Sequence, residues 1–167
     1  MERTDVPRSW DERATVQTFL TYARATAVAK CEGLSDEAAR KAPLPDSPLM
    51  TIAGLISHLR WVEHWWFEVV FLGEDVGAPW SEEAPDMDFT PDPSRTLADV
   101  VDEYTRACAE IDRKLADHDL DELSARKGRA GHEFTLRWVF GHLIEETSRH
   151  NGHLDVVREL LDGVKGV

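Results

Sequence analysis

Apolar residues recur three and four positions apart in four long segments, and this spacing limits the chain to helices that each bury one stripe. In Asp11 to Cys31 the stripe is Val16, Phe19, Leu20, Ala23 and Ala27. From Thr51 to Leu72 it is Leu55, Leu59, Val62, Trp66, Val69 and Val70. Between Thr96 and Ala116 it runs Leu97, Val100, Val101, Tyr104, Ala107, Cys108, Ile111 and Leu115, and between Thr135 and Leu161 it runs Leu136, Val139, Leu143, Leu154, Val157 and Leu161. Thr51, Thr96 and Thr135 stand at N-cap positions, while Gly73 and Gly163 stand where helices stop. No alternating β-branched run competes. The fold class expected is all-α, a four-helix bundle, with Ser35 to Ala42 as a short extra helix. With 167 residues the chain suits a single domain over its whole length, 1–167.

Gly73 to Arg95, rich in Pro, Gly and acid, is a long crossover between the second and third long helices. A connection of that length lets those helices run parallel, and it is long enough to carry function. His118 to Phe134 forms a second loop. Its Arg126, Lys127 and Arg129 are a small basic cluster, read as a solvated turn.

The formal charge of −13, with no basic stripe, argues against nucleic acid or an anionic membrane as partner. His58, Arg60, Glu63, His64 and Glu68 interrupt the most apolar stretch, so it does not read as a bilayer span. Cys31 and Cys108 stand alone and the N-terminus lacks a signal-type apolar core, so the expected location is cytoplasmic.

The last helix raises the chemical question. At about 100° per residue, Leu143, Val157 and Leu161 fall within roughly 40° of Val139 and define the inward face. Glu146 and His150 fall within about 20° of the same direction. A carboxylate in an apolar stripe needs a cation or several donors opposite it. On the second long helix His58 lies on the shoulder of the stripe, whereas His64 points to the opposite face. Two readings fit. Glu146, His150 and His58 are three ligands of a divalent metal with an open fourth position, or Glu146 and His150 are an intrahelical ion pair and His58 a satisfied core histidine. Such a donor set suits zinc, and also nickel, iron or manganese. His153 is read as second shell or pocket wall, its rival role being to replace Glu146 as ligand. Trp65 shares His58's side of the helix and is a candidate pocket wall. Trp66 reads as core, and Trp61 and Trp138 as cover for a subunit interface.

"TIAGLISHLRWVEHWWF", the long loop with Trp80, and "GHEFTLRWVFGHLIEETSRHNGHLDVVRELLDG" together resemble the DinB-like superfamily of four-helix metal-binding proteins over nearly the whole chain. In that superfamily a histidine of the second long helix joins an H-x-x-x-H pair on the last. Carried across, these are His58 and His150, with Glu146 in the third place. That departure from three histidines is similar to the mycothiol-dependent maleylpyruvate isomerase branch. His153 falls where many relatives have Gln, which implies second shell.

The resemblance implies a divalent-metal-dependent transferase that activates a small thiol, of mycothiol or bacillithiol type, for transfer to an electrophilic small molecule. It also implies a homodimer. Maleylpyruvate isomerisation is not implied, because the isomerase has a further C-terminal domain and this chain stops at Val167. The alternatives are a hydrolase using metal-bound hydroxide and a non-catalytic, dimeric metal-binding or stress-associated protein.

Overall fold

The computed structural model describes residues 3–128 and 131–166. Four long helices account for most of it, and each begins where a short polar side chain accepts a backbone N–H of its own first turn. Asp11 caps α1 (Glu12–Ala29) through Ala14, and Thr51 caps α3 (Ile52–Glu63) through Gly54. Thr96 caps α4 (Leu97–Lys114) in a reciprocal box with Asp99, and Thr135 caps α5 (Leu136–Asp162) through Trp138. These oxygens satisfy donors that a helix start leaves without partners. Ser35 does the same for the one-turn α2 (Asp36–Ala39). Gly163 ends α5 at φ 78°, a left-handed value that glycine adopts without a Cβ clash. Among the described residues no strand forms, and Leu123 and Thr135 make one isolated bridge.

The second long helix departs from a uniform α-helix. From His64 to Phe71 it winds as a π-helix, and the wider turn ends in a bond from Leu72 N–H to the Phe67 carbonyl. Such turns are uncommon and cluster at functional sites. This segment also corrects the orientation of His64. Expected on the far face, it is buried, because Trp61 packs on its ring and Glu68, itself held by Lys114 of α4, takes its Nδ1 at 2.6 Å. An angular count from α3 alone does not include what α4 covers. Phe19 is a second correction: placed in the α1 stripe, it is 45% exposed, and the buried face of α1 is carried by Leu20 and Ala23 to Ala27.

Cross-helix pairs give the directions. Arg60 meets Glu103, Glu63 meets Cys108, and Glu68 meets Lys114, so α3 with its π extension and α4 run parallel. The long connection expected between them is present and holds a single turn of 3₁₀ helix, Met87–Phe89. Phe67 packs on Phe140 and His58 reaches Glu146, so α3 and α5 run antiparallel. The core has two parts. One surrounds Leu55, Ile56, Leu59, Tyr104 and Leu154, and the other Phe67, Ile111, Leu136, Val139 and Phe140.

Between them lies a buried ion pair. Arg24 of α1 donates from Nε and Nη2 to Glu63 at 2.8 and 2.5 Å, and from Nη1 to Asp112 at 2.8 Å. Tyr104 donates its hydroxyl at 3.3 Å to Glu63 Oε1, the oxygen that also accepts from Arg24 Nε. Burial disfavours the charge on Arg24, yet Glu63 and Asp112 hold its pKa well above the ordinary value. Arg126, expected as a solvated base, donates to the carbonyls of Gly73 and Glu74 and ties the two loops together. Arg129 lies outside the described residues.

Candidate metal centre

His58 of α3 and Glu146 and His150 of α5 converge in the core, each offering one ligand atom within 4.8 Å of the others. The meeting point is Glu146 Oε1, 3.1 Å from His150 Nε2 and 3.5 Å from His58 Nε2. The i, i+4 spacing puts the α5 pair on one face, and the antiparallel packing of α3 brings His58 opposite them. Four ligands at roughly 2.0–2.1 Å around a tetrahedral ion stand about 3.3 Å apart. The two observed separations bracket that edge, and two imidazoles with one carboxylate make a donor set suited to a divalent ion.

Each of the three side chains is held from behind. Asp88, from the 3₁₀ turn of the crossover, lies 2.7 Å from His58 Nδ1, and Phe89 stacks on the His58 ring at 4.0 Å between centroids and 12° between planes. Arg149 takes the outer oxygen of Glu146, Oε2. His153 brings its Nδ1 to 3.2 Å from His150 Nδ1, the nitrogen turned away from Glu146. His153 thus stands beside His150, on the side away from Glu146.

The electrostatics follow from this packing. Hydrogen bonds from His150 and His58 outweigh burial and hold Glu146 far below the usual carboxylate range. Burial opposes charge on His58, but Asp88 and Glu146 raise its pKa above the ordinary histidine value. Burial, followed by the fields of His150 and Arg149, lowers that of His153.

Five of the six tryptophans fall in two groups. Trp65 makes its ring contact with Trp80 of the crossover at 5.9 Å, and Trp61 joins the same tryptophan at 6.2 Å. Trp66 is half-buried against Phe134, Trp138 and His142, and Trp138 is 43% exposed. Asp88, Phe89 and Arg149 are the contributors that sequence reading missed. Arg149 had a signal, since it stands three residues from Glu146 on the same helix. Asp88 and Phe89 had none, because they come from an acidic loop without periodicity.

Packed helices with a His-Glu-His cluster between α3 and α5 define a helical protein of the DinB-like, mycothiol-related kind. A family model described as mycothiol-S-transferase matches residues 15–163, and the chain belongs to that family. The fold is similar to a crystal structure of a mutant of the mycothiol-dependent maleylpyruvate isomerase, with a TM-score of 0.50 and 11% sequence identity. That likeness covers 90% of this chain and 60% of the isomerase chain. No curated protein matches the sequence. Among the described residues no helix is long and apolar enough to cross a membrane.

Proposed function

We propose that the protein is a divalent-metal-dependent S-transferase, with His58, Glu146 and His150 as metal ligands and a small thiol of mycothiol type as cosubstrate. The observation that carries the reading is the convergence of two imidazole Nε2 atoms on one inward carboxylate oxygen, at 3.1 and 3.5 Å. Membership of the mycothiol-S-transferase family supports the choice of thiol. When bound, the metal, zinc by its donor set with nickel, iron or manganese also suited, lowers the pKa of a coordinated thiol so that thiolate is present near neutral pH.

The chain's own residues prepare the site. Asp88 accepts from Nδ1–H of His58 and thereby selects the tautomer whose Nε2 lone pair faces the cluster. Arg149 occupies one oxygen of Glu146, so the other is the one directed inward. Phe89 covers one face of His58 and keeps water from it. Trp65, in edge contact with Trp80 of the crossover loop, is assigned to the wall of the thiol pocket. In the overall reaction a bond forms between the thiol sulfur and an electrophilic carbon, and the thiol proton leaves with the displaced group or passes to the acceptor. The functional unit is a homodimer, with Trp138 available on the surface for the contact.

The test is elemental analysis of untagged protein beside Glu146→Ala and His150→Ala after loading with zinc or nickel and removal of free ion. About one equivalent in wild type, lost in both variants, is expected. Wild type without metal reduces the cluster to an ion-paired seam. Metal without thiol-dependent consumption of electrophiles leaves the hydrolase or the non-catalytic protein.

A further inference from the structure

The crossover loop has a second side. Asp88 and Phe89 lie against His58, whereas their neighbours Met87 and Thr90 help to close a cavity of about 180 Å3 over Ser57, Arg60 and Trp61 of α3 and Glu103 of α4. None of His58, Glu146 and His150 lines it.

In a chain of net charge −13, this cavity gathers the guanidinium groups of Arg60 and Arg95. A third, Arg40, donates to the carbonyls of Pro91, Asp92 and Arg95 at its rim. Two carboxylates also line it. Glu103 is shared, 3.4 Å from Arg60 Nε and paired with Arg95 Nη1, while Asp92 turns Oδ1 back to Ser94. With Arg40 at the rim, three guanidinium groups stand against the two carboxylates Glu103 and Asp92.

Arg60 carries the strongest signal. Its guanidinium carbon sits 3.8 Å from the centre of the Trp61 ring, which fixes its plane. Its Nε and Nη1 are buried and make no hydrogen bond, the approach to Glu103 being an ion pair without hydrogen-bond geometry. Buried donors without acceptors are costly and call for a partner. Arg60 lines the cavity, and an oxyanion there that draws the guanidinium round would supply one. Trp61, Met87, Pro79 and Val100 offer the rest of the occupant an apolar wall. A cavity of about 150 Å3 holds benzene, so this one has room for a ring with its carboxylate.

We propose that this cavity is a binding site for a small organic acid, its carboxylate on Arg60 and its carbon body against Trp61 and Met87. The site stands independently of the metal reading.

Benzoate and inorganic phosphate serve as probes in calorimetric titrations of the full chain, metal-loaded and after chelation. Benzoate binding at one site with equal affinity in both preparations is expected, with phosphate weaker. Arg60→Met should weaken benzoate by about 10- to 100-fold, the loss of a charge-assisted bond, at an unchanged circular dichroism spectrum. Met87→Trp, on the exposed loop, should block the cavity without touching Arg60. Absence of benzoate binding to wild type overturns the proposal. So does binding that chelation abolishes, binding that both variants retain, or phosphate that binds as tightly as benzoate.

Discussion

Asp88 stands 2.7 Å from Nδ1 of His58, thirty residues earlier in the chain. One loop residue therefore decides which nitrogen of His58 is free to face Glu146. A carboxylate behind a ligating imidazole fixes the ring and raises its basicity, and its removal typically costs 10- to 100-fold in metal affinity. Asp88→Ala is expected to weaken zinc by about that factor, and Asp88→Asn, which keeps an acceptor oxygen, by less. Competition against a chromophoric chelator measures both. Unchanged affinity in Asp88→Ala would remove Asp88 from the centre.

The Arg24–Glu63 pair makes a stability prediction. Both side chains are 1% exposed, so loss of Arg24 leaves Glu63 an uncompensated buried charge, and loss of Glu63 leaves Arg24 held by Asp112 alone, a half-exposed partner. Arg24→Met and Glu63→Leu should each lose about 3–5 kcal/mol in urea unfolding, and the double variant should lose much less than their sum. Additive losses would show that the two charges act separately.

The chain's own thiols should be inert. Burial, partly offset by Arg158, pushes the Cys31 thiol up to about 12. Burial and the Glu63 charge push Cys108 well above its ordinary value. Since the thiolate is the reactive form, iodoacetamide at about pH 8 should label neither cysteine in the native protein and both in urea. Rapid native labelling would make a cysteine of the chain a competitor for the nucleophile's role.

Acid should act through Glu68. Burial opposes its charge, but Lys114 at 2.5 Å and His64 at 2.6 Å outweigh it and lower the pKa below 4.5. A depressed carboxylate contributes stability that is present above its unfolded value and lost as pH falls through its folded one. Lys114→Met should therefore lower the unfolding midpoint near neutral pH and flatten its decline below about pH 4.5. Parallel midpoint curves for variant and wild type would refute the coupling.

Much of the architecture was legible because it depends on near neighbours. Each of Thr51, Thr96 and Thr135 caps a helix through its own first turn, so a few adjacent residues suffice to locate the start. Glu146 and His150 share a face for the same local reason, and the apolar stripe around them showed that face to be inward. His58 was placed on the shoulder of its stripe, and the fold brings it to the pair.

His64 and Phe19 show where that reasoning stops. Burial depends on which element covers a face, and for His64 that element is α4 with Lys114. Asp88, Phe89 and the Arg60 cavity are further from view, since they arise where an aperiodic loop folds across two parallel helices. Helix positions and the shared face of Glu146 and His150 were thus legible in the sequence alone, because they rest on interactions within a few turns. The backing of His58, the burial of His64 and the cavity floor were decided only by tertiary structure, because each joins groups some thirty or more residues apart.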